Sequence, residues 1–166
     1  MPWRQMKEQK ALQTEYLRCD EIGLNKAADI IKNGGLVAMP TETVYGLAAD
    51  ATNEKAVNEI FKVKGRPQDN PLIVHIASLN MWEDLVEEIP KDAKKLADAF
   101  WPGPLTFVLK RIDENPALDL ACAGLRTVTV RMPKHKTALE LIKQSGVPIV
   151  APSANRSQTI SPTTAQ

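Results

Sequence analysis

Short apolar runs alternate along this chain with stretches of helical periodicity, and that alternation constrains the fold more than any other feature. Leu36-Val37-Ala38-Met39 ends at Pro40 and leads into Thr41-Glu42-Thr43-Val44-Tyr45-Gly46. Lys64-Gly65-Arg66-Pro67 stands just before Leu72-Ile73-Val74-His75-Ile76, and Ile149-Val150-Ala151 is followed by Ser153-Ala154-Asn155. Strands separated by helices predict a mixed α/β sheet with helices packed against it. The polar groups beside the strand ends, which are cations, hydroxyls and an amide, can build one site for an anionic ligand.

The helical stretches have defined ends. Gly23 to Lys32 places Leu24, Ala27, Ala28 and Ile31 on one face, and Gly34-Gly35 stops it by supplying positive φ. Glu54 to Val63 places Ala56, Val57, Ile60, Phe61 and Val63 inward and runs straight into Lys64-Gly65-Arg66-Pro67. One or two helices are expected between Asn80 and Trp101, with Leu96, Ala97, Phe100 and Trp101 as the apolar stripe, before the Trp101-Pro102-Gly103-Pro104 breaker. Leu105 to Leu109 and Thr127 to Arg131 read as strands; in the second, Thr127, Thr129 and Arg131 share one side and Val128 and Val130 the other. Lys136 to Gln144 is a short helix ended by Gly146, and Val147 to Ala151 is the last strand. Ser161-Pro162 has the form of a helix N-cap followed by proline at the first helical position.

With 166 residues the chain suggests one domain able to bury a sizeable core. Apolar residues at 43% and charged residues at 25% exclude a disordered or fibrous class, and a net charge of +1 gives no global attraction to nucleic acid. Cys19 and Cys122 show no metal or CxxC spacing and read as free thiols. The N-terminus lacks an apolar targeting core and no apolar run reaches membrane-spanning length, so the expected compartment is the cytoplasm.

Lys64 and Arg66, two residues apart in a Gly/Pro loop, can converge on a polyanion, Arg66 as a fork and Lys64 as a point charge, with the Asn70 amide nearby. His75 reads either as a core histidine or as a group that orients a small polar substrate. Thr41, Thr43 and Tyr45 offer hydroxyls around Glu42; Ser153 and Asn155 offer a hydroxyl and an amide after a strand. The nucleophile elbow Gly-x-Ser-x-Gly is missing, as are the Walker loop and Gly-x-Gly-x-x-Gly, so any nucleotide binding would have to use side-chain cations, hydroxyls and backbone amides.

Five motifs in one order, Pro40-Thr41-Glu42-Thr43-Val44-Tyr45-Gly46-Leu47, Lys64-Gly65-Arg66-Pro67 with Asn70-Pro71-Leu72, Trp101-Pro102-Gly103-Pro104-Leu105-Thr106, Val130-Arg131-Met132-Pro133 and Pro152-Ser153-Ala154-Asn155, resemble the YrdC-like family of threonylcarbamoyl-AMP synthases. The resemblance runs from about Gly23 to Thr163. It implies a twisted mixed sheet flanked by helices around a positively charged cavity. It also implies an enzyme that joins L-threonine, bicarbonate and ATP, with Mg²⁺, into threonylcarbamoyl-AMP and pyrophosphate, for N6-threonylcarbamoyladenosine in tRNA. Transfer to tRNA belongs to other proteins of the pathway.

Carried over by position, the resemblance implies that Thr43, His75, Arg131 and the Ala151 backbone hold L-threonine. Arg66, Asn70, Thr127, Ser153, Asn155 and Ser161 then line ATP, and Lys64 and Arg66 are the catalytic cations. No metal-ligating set is expected in the protein. The domain is expected at 23–166 after an N-terminal extension at 1–22. Because relatives continue past the Ser-Pro-Thr segment with further strands, the chain is expected to hold a C-terminally truncated domain. The competing readings are a nucleotide- or RNA-binding module without turnover, using Lys64, Arg66, Arg126, Arg131 and Arg156, and a carbamoyl-transfer maturation domain.

Overall fold

The computed structural model describes residues 14–112 and 115–166; most of the expected extension, 1–13, lies outside the described residues. Six helices and six strands follow one another along the described residues. The order is α1 (Glu21–Lys32), β1 (Val37–Met39), β2 (Gly46–Asp50), α2 (Glu54–Lys64), β3 (Ile73–His75), α3 (Leu79–Glu83), α4 (Lys91–Phe100), β4 (Thr106–Lys110), α5 (Pro116–Ala121), β5 (Thr127–Arg131), α6 (Lys136–Ser145) and β6 (Ile149–Val150). The strands form one sheet in the order β1-β2-β6-β3-β5-β4. Among the described residues only β3 and β5 pair in parallel; every other neighbouring pair of these strands is antiparallel.

Local chemistry sets the helix ends. The Asp20 carboxylate accepts the Gly23 N–H at 2.8 Å to cap α1, and Asn53 caps α2 through the N–H groups of Lys55 and Ala56. Gly65, at φ +59°, ends α2 in the left-handed conformation, so that its N–H returns to Lys62 O and the Arg66 N–H to Phe61 O. On α2, Val63 turns out to solvent, 40% exposed, while Lys64 turns in; the inward face therefore ends on a cation where the apolar pattern placed Val63. On α4 the inward face is Ala93 and Ala97, and Leu96 and Phe100 are exposed. Two stripes at i,i+4 spacing compete on that helix, and the small-residue stripe allows the closer approach.

Residue alternation separates the two faces of the sheet. One face presents Ala49, Val74, Val128, Val130, Phe107 and Val150 to α2, α3, α4 and α5, forming the larger core. Trp82, Trp101 and Phe107 pack there with ring centroids 4.6 to 5.0 Å apart. The other face presents Met39, Ala48, Ile149 and Ala151 to Ala27, Ala28 and Ile31 of α1 and to Ala138, Leu141 and Ile142 of α6. Those two helices cover the β1-β2-β6 half. On the β3-β5-β4 half of the same face, Thr106, Thr127 and Thr129 are half-buried and Val108 is 61% exposed. The result is a sheet whose second face is roofed by α1 and α6 on one side and, beyond the buried His75, more open on the other.

Ser161-Pro162 does not begin a helix: residues 161–166 are irregular, and the Pro162 carbonyl instead accepts the Tyr45 N–H at 2.8 Å. Cys122 is a buried thiol and Cys19 an exposed one, both unbridged. No helix among the described residues is long and apolar enough to cross a membrane.

Candidate functional site

Arg131, the last residue of β5, stands on the open half-face beside His75 of β3 and Thr106 of β4. The loop from β1 to β2 meets it there. Thr41 Oγ1 donates to Val44 O at 2.6 Å and accepts the N–H groups of Thr43 and Val44 at 3.2 Å, a hydroxyl-closed turn that holds the next two side chains in place. Glu42 Oε1 then accepts from Arg131 Nη2 at 2.6 Å, and Thr43 Oγ1 lies 3.5 and 3.4 Å from the two terminal guanidinium nitrogens. The pair is well covered, with the Arg131 side chain 11% and the Glu42 side chain 19% exposed. Arg131 Nε is buried and has no partner among the described residues.

The electrostatics follow from this packing. Burial alone would raise the Glu42 carboxyl, but the Arg131 hydrogen bond, backbone N–H groups of Glu42 and Lys134 and the Arg131 charge together outweigh it and hold the group below its ordinary value. His75 is 2% exposed, and burial together with the Arg131 charge pushes it down to about 4, so the imidazole is neutral at pH 7. Its Nδ1 lies 3.3 Å from Ile73 O. A carbonyl only accepts, so Nδ1 carries the proton and Nε2 is left as an acceptor.

A second group gathers at the C-terminal end of α2. Arg66 Nε donates to Asn70 O at 3.1 Å and Nη2 to Pro71 O at 2.9 Å, folding 66–71 into a loop around the guanidinium. Lys64 Nζ donates to the carbonyls of Ser153 and Asn155. Burial and then the Arg66 charge lower the Lys64 ammonium, and burial lowers Arg66. The Asn155 side-chain amide donates to the carbonyls of Arg156 and Thr159, and its Oδ1 is buried without a partner among the described residues.

The segment after β6 joins the two groups. Leu47 N–H donates to Pro152 O, Ala154 N–H to Tyr45 O and Tyr45 N–H to Pro162 O, at 2.7, 2.8 and 2.8 Å. Gly46 faces Ala151: a Cβ at Gly46 would lie 3.1 Å from the Ala151 Cβ and 3.4 Å from its carbonyl oxygen, so glycine admits this close passage.

The expected threonine set therefore converges, with Thr43, His75 and Arg131 together and Ala151 one strand away. The expected nucleotide set divides into Arg66 with Asn70, Ser153 with Asn155 on Lys64, and Ser161 beside the Pro162–Tyr45 contact. Thr127 stands on the same face as Arg131, about 13 Å along the strand. The pairing of Glu42 with Arg131 was not anticipated, because the partners are 89 positions apart and no local spacing announces it. A cavity of about 370 Å³ bounded by Thr52, Asp84, Leu118 and Pro148 touches none of these residues. Among the described residues no group of three or more His, Cys, Asp or Glu could hold a metal ion.

Residues 29–166 match the Sua5/YciO/YrdC family model, whose description is "Telomere recombination". The chain is 55% identical over 148 residues to the threonylcarbamoyl-AMP synthase of Pyrococcus abyssi, covering 89% of this chain and 43% of that one. It is 48% identical over 153 residues to the Bacillus subtilis threonylcarbamoyl-AMP synthase, covering 92% and 44%. The crystal structure of P. abyssi Sua5 complexed with L-threonine superposes with a TM-score of 0.85 at 55% identity, over 88% of this chain and 42% of that one. The chain belongs to the Sua5/YciO/YrdC family. It spans less than half the length of these relatives.

Proposed function

We propose that this chain carries the substrate site of an L-threonylcarbamoyladenylate synthase, a nucleotidyl-transferring enzyme acting on L-threonine, bicarbonate and ATP. The observation that carries the reading is the Arg131 guanidinium beside the Thr43 hydroxyl and a neutral His75 on the open half of the sheet. Glu42 holds the Arg131 fork at Nη2, and Nη1, whose neighbour is Thr43 Oγ1 at 3.5 Å, is suited to a ligand carboxylate, while Thr43 and the His75 Nε2 lone pair suit a hydroxyl or an amine N–H. Similarity to proteins named threonylcarbamoyl-AMP synthase supports the same reading.

In this reading the threonine amine, freed of its extra proton, forms a C–N bond to the bicarbonate carbon and water leaves. One carbamate oxygen then attacks the α-phosphorus of ATP, the bond to the β-phosphate oxygen breaks, and pyrophosphate departs. No protein nucleophile takes part. The chain's contribution is to hold the reactants together and to offset negative charge. Arg131 holds the threonine carboxylate, with the Ala151 backbone as a further contact. Arg66, Asn70, Thr127, Ser153, Asn155 and Ser161 line the nucleotide, and Arg66 supplies the cation at the phosphates. Magnesium arrives on the ATP phosphates as part of the substrate, where it neutralises phosphate charge. The product is passed to other proteins of tRNA modification.

The test is pyrophosphate release from ATP by the purified chain, with each substrate omitted in turn. Release that requires both L-threonine and bicarbonate is expected. ATP binding with no release under any condition would instead make the chain a nucleotide-binding module.

A further inference from the structure

Lys64 occupies an unusual position for a cation expected to meet phosphate. It is 4% exposed, on the inward face of α2, while Val63 beside it points to solvent. Both acceptors of its ammonium are neutral carbonyls, those of Ser153 and Asn155. Burying a cation on neutral groups is costly, so the arrangement calls for a purpose beyond filling space. The Lys64 backbone joins in as well: its carbonyl accepts the Ser157 N–H at 3.0 Å. One residue thus grips the segment after β6 at positions 153, 155 and 157.

We propose that Lys64 is a positioning residue, whose buried ammonium holds the Ser153 and Asn155 carbonyls and thereby sets the 153–161 segment against Arg66, without itself touching the nucleotide.

The lever is short. Gly65, in the left-handed conformation, separates Lys64 from Arg66, so the residue that grips the segment and the residue whose guanidinium organises the 66–71 loop are fixed to the same helix end. Beyond the grip, the segment closes on itself. Asn155 Nδ2 donates to Arg156 O and Thr159 O, the Thr159 N–H donates to Arg156 O, and Gln158 sits at φ +70°. A turn closed on itself moves as a unit, so releasing its base displaces the Ser153 hydroxyl and the Asn155 amide together. Lowering of the Lys64 ammonium by burial fits a group sequestered from a polyanion's approach.

This inference rests on the proposed ATP site, and a double-mutant cycle separates the two. Ser153→Ala and Asn155→Ala remove side chains but keep the carbonyls that Lys64 holds. Lys64→Met keeps the stem and removes the donors. ATP affinity, measured by calorimetry, is expected to fall roughly tenfold for Lys64→Met in the otherwise native chain and less than twofold in the Ser153→Ala/Asn155→Ala background, because a residue acting through another is not additive with it. Equal losses in both backgrounds, or no loss in either, overturn the proposal. Lys64→Arg, which keeps a cation within reach of the carbonyls, serves as the second variant should Lys64→Met fail to fold. It is expected to restore most of the affinity in the native background, and an affinity as low as that of a donorless variant counts against the assignment. Amide chemical shifts give a readout independent of nucleotide: Ser153, Asn155 and Ser157 should move in Lys64→Met. A native chain that binds no ATP refutes the proposed function, and in that event unmoved amides refute the positioning role as well.

Discussion

His75 shows how burial decides what a residue can do. In sequence it had two readings, core histidine or substrate-orienting group, and the structure makes it buried while placing it beside Arg131. The imidazole ordinarily titrates at 6.5 and in the fold at about 4. Between those values the unfolded chain binds a proton that the folded chain refuses, so stability falls as pH drops through the window and is flat above it. A displacement of this size corresponds to about 3 kcal/mol at its fullest. Glu42 acts in the same direction, since its lowered carboxyl contributes stability above 4.5 that is lost as pH falls through the folded value. Urea unfolding at pH 7 and at pH 4 is expected to show a marked loss in the native chain and a clearly smaller one in His75→Gln; equal losses would mean that His75 does not set the dependence. Residue identities such as Arg131 and Thr43 were legible as candidates, whereas Glu42 was not, because its partner is distant in sequence.

At the scale of elements, periodicity was a good guide where side chains carry it. β5 was readable to the residue, because Thr127-Val128-Thr129-Val130-Arg131 alternates cleanly between a half-exposed and a buried face. β2 was not, because Gly-Leu-Ala-Ala-Asp holds no β-branched residue; its small side chains answer to helix packing on one face and the larger core on the other. The six-residue α5, opening on Pro116, was missed for its shortness. The Ser161-Pro162 pattern failed because tertiary pairing with Tyr45 took the backbone elsewhere. The end of α2 offers a direct check. Gly65 has φ +59° and open space around a Cβ, so Gly65→Ala meets no clash and costs only the backbone strain. A loss of about 1 kcal/mol is expected by urea unfolding, smaller for Gly65→Asn. A neutral Gly65→Ala would mean that the left-handed end of α2 is not under strain in solution.

For the whole molecule, the decisive feature is a sheet roofed on half of one face. Composition and alternation made an α/β sheet legible, but the strand order was not, since β6 enters antiparallel between β2 and β3 from the far end of the chain. That insertion brings the 151–163 segment next to the 41–46 loop and so assembles the site. Of the five cations that a nucleic-acid module could have used, Lys64 is buried on carbonyls and the Arg131 side chain is only 11% exposed, which favours a small-molecule site over a broad basic surface. The account's central claim is that the open half-face receives an amino-acid carboxylate on Arg131. Titration of the chain with L-threonine, followed by amide chemical shifts, tests it most directly. Shifts centred on Thr43, His75, Arg131 and Ala151, weakened at least tenfold in affinity by Arg131→Lys because a point charge cannot replace the fork, are what the account predicts. Saturable binding that Arg131→Lys leaves unchanged, or shifts confined to residues away from this half-face, would contradict it.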